Sequence, residues 1–76
     1  MDAQAIGKTL KDLRLSSGLS REKVCEELGV GLSPLAMYER GERIPRDEIK
    51  LRIARLYGKS VDDIFYAQES TLSAQQ

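Results

Sequence analysis

Charged side chains are unevenly distributed along this chain, and their distribution indicates a binding surface. The formal net charge is zero, with 12 basic and 12 acidic residues. Residues 8–23 nevertheless hold five basic residues against two acidic ones, and residues 40–59 hold seven against three. Such segregation allows a basic face on a neutral molecule, as a polyanion would require. The same pattern is also typical of an ordinary solvated helix surface. The charge distribution alone does not distinguish a binding face from such a surface, so the choice depends on the sequence motifs.

Residues 20–41 have the spacing of two short helices joined by a glycine-centred turn. Ser20 can cap the first helix, because its hydroxyl can accept a hydrogen bond from an unpaired backbone N–H. Gly29 follows the last turn, where a left-handed backbone conformation commonly ends a helix. Cys25 is a small residue at the expected crossing of the two helices. The apolar residues at helical spacing are Val24, Leu28, Leu35 and Tyr38. The stretch is typical of a DNA-reading helix-turn-helix, with the motif at about 21–40.

The periodicity of the whole chain predicts an all-α, compact five-helix bundle. The first four predicted helices run from about Ala5 to Ser16, about 21 to 28, Leu32 to Arg40, and about Arg46 to Tyr57. A short fifth helix is capped by Ser60 and includes Ile64 and Phe65. Ser33 and Pro34 form a favourable cap and first-turn pair, which would start the third helix one residue later. Residues 1–68 form one domain in this interpretation, and polar residues 69–76 form a disordered tail.

Composition argues against several other classes of protein. One cysteine excludes an intrachain disulfide, and the lack of histidine argues against a zinc site. We expect Cys25 to be a buried apolar residue. The serines have no evident activating base, so we expect no catalytic site, metal or cofactor, and no small-molecule ligand is evident. No apolar run approaches the roughly 20 residues of a membrane span, and no signal-peptide pattern is present. We therefore expect a cytoplasmic, nucleoid-associated protein.

Three segments together resemble the lambda-repressor-like domain, also called the Cro or XRE family. They are IGKTLKDLRLSSGLS, LGVGLSPLAMYERGERIP and IARLYGKSVDDIF, and the resemblance covers residues 6–66. The family is a five-helix bundle whose third helix enters the DNA major groove, usually as a homodimer on a roughly palindromic operator. The resemblance implies base-facing positions at Leu32, Ser33, Ala36 and Met37, and DNA-backbone contacts at Arg14, Arg21, Arg40 and Arg43.

Two further pairs of residues follow from the resemblance. Arg14 and Glu39 match a pair in which the carboxylate holds the arginine near a DNA phosphate. A structural clamp between helices 1 and 3 is the alternative, and the two roles are compatible. Phe65 and Tyr66, at the end of helix 5, are candidates for the dimer contact. Tyr66 as an edge of the core is the alternative for that residue.

The expected reading surface departs from the family pattern. Typical members carry Ser or Thr at the position of Gly31, and Gln, Arg, Asn or Lys at several positions of helix 3. Here Leu32, Ala36 and Met37 offer only apolar contact, for example to a thymine methyl group. The leading hypothesis is a sequence-specific DNA-binding transcriptional regulator, a repressor or controller of prokaryotic, phage or mobile-element origin. The alternative is a protein-binding module of the same fold, such as an antirepressor or antitoxin, that uses this apolar face.

Overall fold

The computed structural model describes residues 2–67, which form five α-helices. They are α1 (Ala3–Ser17), α2 (Arg21–Leu28), α3 (Leu32–Arg40), α4 (Asp47–Tyr57) and α5 (Val61–Phe65). The prediction of an all-α five-helix bundle is confirmed. The predicted tail at residues 69–76 lies outside the described residues. Within residues 2–67, no helix is both long and apolar enough to cross a membrane.

Side-chain caps start α1, α2 and α5, and the start of α1 differs from the sequence prediction. Helix α1 begins at Ala3 rather than at about Ala5, because Asp2 Oδ1 accepts hydrogen bonds from the N–H groups of Gln4 (3.0 Å) and Ala5 (3.2 Å). Helix α3 begins at Leu32, with Gly31 as its cap, so the later start at Ser33–Pro34 is wrong. Pro34 lies in the first turn, where an N–H would have no helical partner anyway.

The other two predicted caps are confirmed. Ser20 Oγ accepts from the N–H of Lys23 at 3.1 Å and starts α2. Ser60 Oγ accepts from the N–H of Asp63 at 3.0 Å and starts α5. Each hydroxyl satisfies one of the backbone donors that a helix start leaves unpaired.

The core draws apolar side chains from all five helices. Its buried members are Ile6, Leu10, Val24, Cys25, Leu28, Leu35, Tyr38, Ile49, Ile53, Ala54, Ile64 and Phe65. Cys25 is buried, as predicted, and burial raises the pKa of its thiol above the ordinary value. The residue is therefore an uncharged, apolar component of the core.

Helices α1 and α3 approach each other so closely that their backbones touch. A Cβ atom added to Gly7 would lie 2.6 Å from the carbonyl oxygen of Glu39 and 2.7 Å from that of Tyr38. A Cβ atom on Gly41, where φ is +75°, would lie 2.7 Å from Gln4 Cα. Only glycine fits at either position. The two glycines therefore set the position of α3 against α1.

Candidate nucleic-acid interface

The turn between α2 and α3 has the backbone geometry that the sequence predicted. Gly29 adopts φ +70°, and its N–H donates to the carbonyl of Cys25 at 2.8 Å. The N–H of Val30 donates to the same carbonyl at 3.2 Å. Arg52, from α4, donates to the carbonyl of Leu28 at 2.9 Å and so satisfies another acceptor at the end of α2. These bonds set the direction in which the chain enters α3.

Beyond this turn, an open depression of about 690 Å³ lies along α3, from Leu32 to Arg40. Its lining residues are Lys11, Arg21, Glu22, Leu32, Ser33, Ala36, Glu39 and Arg40. The depression brings together three predicted base-facing residues and two predicted backbone-contacting arginines. Met37, Arg14 and Arg43 are not part of its lining. Lys11 and Glu22 were not among the predicted site residues, because only their positions on α1 and α2 relative to α3 place them there.

The outer face of α3 is apolar and accessible. Leu32 is 50% exposed and Met37 is 36% exposed. Ser33 is exposed as well, and Ala36 is half-buried. Leu35 and Tyr38 face the core from the opposite side of the same helix. One side of α3 therefore holds the helix in the bundle, and the other side is available to a ligand.

Arg14 and Glu39 form a buried pair between α1 and α3. Arg14 Nε and Nη2 donate to the two carboxylate oxygens of Glu39 at 2.8 and 3.1 Å. The side chains are only 8% and 5% exposed. The hydrogen bonds to Glu39 raise the pKa of Arg14, against the opposing effect of burial. Arg21, which is 54% exposed, lies 3.9 Å from the same carboxylate at the edge of the depression.

This geometry fits the clamp between helices 1 and 3. It leaves little of the Arg14 guanidinium accessible, so the phosphate contact predicted for Arg14 is supported less than that of the exposed Arg21. The contact stays a prediction.

A second bidentate pair, Arg40 with Glu42, lies at the same C-terminal end of α3 but is exposed. Arg40 Nε and Nη2 donate to the Glu42 carboxylate at 3.0 and 2.9 Å. The side chains are 59% and 54% exposed. The hydrogen bond from Arg40 lowers the pKa of Glu42 below its ordinary value. Arg43, the neighbouring predicted backbone contact, is also exposed.

The two candidates for a dimer contact occupy different environments. Phe65 is 3% exposed and belongs to the core, so it has almost no surface to offer a second chain. Tyr66 is half-buried, and its hydroxyl accepts a hydrogen bond from the buried Lys50 ammonium at 3.0 Å. That ammonium also lies 5.1 Å from the centre of the Tyr66 ring. The predicted contact therefore narrows to Tyr66 and the surface around it.

Five helices with a glycine turn between α2 and α3, and a depression along the exposed side of α3, define a helix-turn-helix domain. The family model for the helix-turn-helix domain matches residues 5–64. The chain belongs to this family, and the resemblance seen in its sequence is confirmed.

The relatives of the chain include HTH-type transcriptional regulators of Bacillus subtilis (strain 168). The HTH-type transcriptional regulator ImmR of Bacillus subtilis (strain 168) is 34% identical over 58 residues, which are 76% of this chain and 46% of ImmR. The uncharacterized HTH-type transcriptional regulator YgzD of the same organism is 32% identical over 60 residues, 79% of this chain and 91% of YgzD. The chain thus spans about half the length of ImmR and nearly all of YgzD.

A solved structure has the same fold. The restriction-modification controller protein C.AhdI from Aeromonas hydrophila superposes with a TM-score of 0.77 and is 28% identical. The match covers 84% of this chain and 97% of C.AhdI.

Proposed function

We propose that the protein is a sequence-specific DNA-binding transcriptional regulator, a repressor or controller of prokaryotic, phage or mobile-element origin. The observation that carries the proposal is the depression along α3. It combines an exposed helix face with Lys11 from α1 and Arg21 from α2. Positive side chains on neighbouring elements can contact phosphates on either side of a groove while the helix contacts base edges within it.

The dimensions of α3 support this placement. The helix has nine residues, which corresponds to a length of about 13 Å at 1.5 Å per residue. With its side chains an α-helix is about 10–12 Å across, so a major groove about 12 Å wide admits it. Because Leu35 and Tyr38 anchor its other side, α3 can present Leu32, Ser33 and Met37 to the bases without leaving the bundle.

The chemistry of this face predicts modest direct readout. Leu32, Ala36 and Met37 can contact the methyl group of thymine, and the Ser33 hydroxyl can bond to several bases. None of them makes the bidentate hydrogen bonds with which arginine recognises guanine or glutamine recognises adenine. We therefore infer a preference for A·T pairs at one or two positions, supported by sequence-dependent DNA shape.

The protein would act on its operator as a homodimer. One helix in one groove covers only a few base pairs, so useful specificity requires two copies about one helical turn (~34 Å) apart on a pseudo-palindromic site. Tyr66, at the end of α5, is the candidate contact between the copies. Footprinting that protects a single half-site, with one chain per duplex, would contradict the dimer.

The test of the proposal separates phosphate contacts from base contacts. Arg21→Ala and Arg43→Ala should weaken binding to every duplex about equally, and each should reduce the salt slope by roughly one unit. Leu32→Ala and Met37→Ala should leave the slope unchanged and relax the preference at one or two base pairs, with a loss near 1 kcal/mol each, the lower end of ~1–3 kcal/mol per contact.

Each variant would be titrated against a selected operator and a scrambled duplex at several salt concentrations. If Leu32→Ala and Met37→Ala change neither the affinity for the operator nor the affinity for the scrambled duplex, α3 is not the reading helix. If the unsubstituted protein has no salt-dependent affinity for duplex DNA at all, the DNA-binding function itself is wrong.

A specific observation favours a second candidate function. Leu32 is a large, exposed apolar side chain that lines the depression together with Glu22, and Met37 is exposed farther along the same helix. A partner helix with an apolar stripe would contact Leu32 and Met37, and a basic residue on its flank would pair with Glu22. The protein would then be an antirepressor-like or antitoxin-like module, and salt would have little effect on its partner affinity.

A further inference from the structure

Arg40 ends the helix that faces the depression, yet its charge is already matched within the chain. Its side chain donates two hydrogen bonds to Glu42, and both side chains are more than half exposed. A guanidinium has five N–H donors, so three are left for another partner. A phosphate can thus still reach Arg40, but it would meet a neutralised ion pair rather than a free cation.

The backbone brings these two side chains next to each other. Residues two apart do not face each other on a continuous helix. Gly41 takes a left-handed conformation, which turns the chain back after α3, and the N–H of Glu42 donates to the carbonyl of Met37 at 2.9 Å. Gly41 also lies so close to α1 that an added Cβ would meet Gln4 Cα at 2.7 Å. The backbone of Glu42 is consequently held beside Arg40.

We propose that Glu42 competes with DNA phosphate for Arg40 and thereby lowers the sequence-independent part of DNA affinity. The inference rests on the proposed DNA-binding function. Phosphate contacts supply most of the affinity for random DNA, through release of counterions. A paired arginine releases fewer counterions than a free one, and the nearby carboxylate repels the phosphate that approaches.

The opposite role, in which Glu42 holds Arg40 ready for a phosphate, is disfavoured by exposure. Glu39 can hold Arg14 because both side chains are buried. An exposed pair gains little from its geometry and is easily opened, so it positions a long side chain weakly. The remaining effect of Glu42 is that its negative charge offsets the positive charge of Arg40. It persists at neutral pH, where glutamate is ordinarily ionised, and the hydrogen bond from Arg40 lowers the pKa of Glu42 further.

The experiment measures binding of the full chain to a fluorescein-labelled duplex of random sequence, at several salt concentrations between about 50 and 200 mM. Glu42→Gln should tighten binding about three- to tenfold and steepen the salt slope by roughly 0.9, as expected for one additional phosphate contact. Binding to a selected operator should tighten by about the same factor as binding to random DNA, because phosphates carry no sequence information.

Glu27→Gln is the matched control. It makes the same change in net charge, and Glu27 is also an exposed carboxylate paired with a basic residue, Lys23, at 3.2 Å. Glu27 lies near the end of α2, where it lines a different depression with Arg52 and Arg55. The control measures how much a general loss of negative charge tightens binding. The gain from Glu42→Gln should clearly exceed it.

The double variant with Arg40→Ala identifies the group through which Glu42 acts. In the Arg40→Ala background, Glu42→Gln should tighten binding no more than Glu27→Gln does. A full gain in that background would overturn the competition, and so would a Glu42→Gln protein that matches the control or binds more weakly than the unsubstituted chain. These results differ from failure of the proposed function, in which the unsubstituted chain itself does not bind the duplex.

Discussion

Replacing Glu39 by glutamine should remove a large part of the stability of this domain. The carboxylate accepts two hydrogen bonds from Arg14 in a site where both side chains are almost fully buried. Glutamine keeps one acceptor but turns an NH2 group towards a guanidinium N–H. The Arg14 charge would then be buried without a counter-charge, and the link between α1 and α3 would be opened.

The expected loss can be placed within a range. Breaking a buried ion pair by removing one partner destabilises proteins by about 3–5 kcal/mol. We take the lower end, about 3 kcal/mol, because Arg21, which lies 3.9 Å from the Glu39 carboxylate, is more than half exposed to water. For a chain of 76 residues the total stability is about 4–11 kcal/mol, at 0.05–0.15 kcal/mol per residue. The loss corresponds to a fall in Tm of roughly 12–24 °C.

The assay is thermal and urea unfolding followed by far-UV circular dichroism. Glu42→Gln is the control, since it removes the same charge from a bidentate arginine pair that is exposed, and it should change the free energy of unfolding far less than Glu39→Gln does. A double variant, Arg14→Met with Glu39→Leu, should recover most of the stability, because apolar residues can replace both members of a buried pair.

Two results would refute this reasoning. If Glu39→Gln and Glu42→Gln lower the Tm equally, burial does not determine the strength of the Arg14 pair. If the double variant is as unstable as Glu39→Gln, the loss comes from packing rather than from an uncompensated charge. A stable double variant also tests the predicted phosphate contact of Arg14, because it should bind DNA normally if Arg14 is only a clamp.

Three further outcomes concern the framework. Gly29→Val should destabilise the domain by about 1–3 kcal/mol in urea unfolding, because φ is +70° and the new Cβ would lie 3.1 Å from Arg52 Nη1. Gly18→Ala is the control and should lower the free energy of unfolding less, since φ is +71° but no atom lies within 4 Å of the new Cβ. Gly7→Ala should separate α1 from α3 and reduce the Tm even though alanine favours helix, and an unchanged Tm would disprove the close contact. Cys25 should resist iodoacetamide at neutral pH in the native protein and react after unfolding, since its pKa is raised and its side chain is buried; rapid native labelling would contradict this.

The helix pattern was predictable because its signals are local. Ser20, Gly29 and Ser60 act on backbone groups within a few residues, so their chemistry identifies helix ends without knowledge of the fold. Helix α1 begins two residues before its predicted start because Asp2 caps it, and a cap of this type is also a local signal.

The packing of α1 on α3 was not predictable in the same way. Gly7 lies within a helix, where glycine usually indicates only weak helix propensity. Gly41 ends α3 in a left-handed conformation, which is a local signal, but its closeness to Gln4 depends on the packing of α1 against α3. Nothing in a linear sequence indicates which distant backbone will fill the space beside a glycine.

Only part of the candidate site could be predicted, because some of its contacts join different helices. The residues on α3 were found because one helix face follows from periodicity. Lys11 and Glu22 enter the depression from other helices, and the pairing of Arg40 with Glu42 depends on the reversal at Gly41. Contacts that cross between elements require the fold, whereas faces of single elements do not.

The contact of Gly7 and Gly41 across α1 and α3 has a consequence for re-engineering. Close backbone contact and the buried Arg14–Glu39 pair form this interface, whereas Leu32, Ser33 and Met37 are exposed and take no part in it. Under the proposed function, the exposed residues could be randomised as a library while the bundle acts as a constant scaffold. Variants selected on new operators would keep the docking angle of the parent, so one parental structure would serve to interpret the whole set.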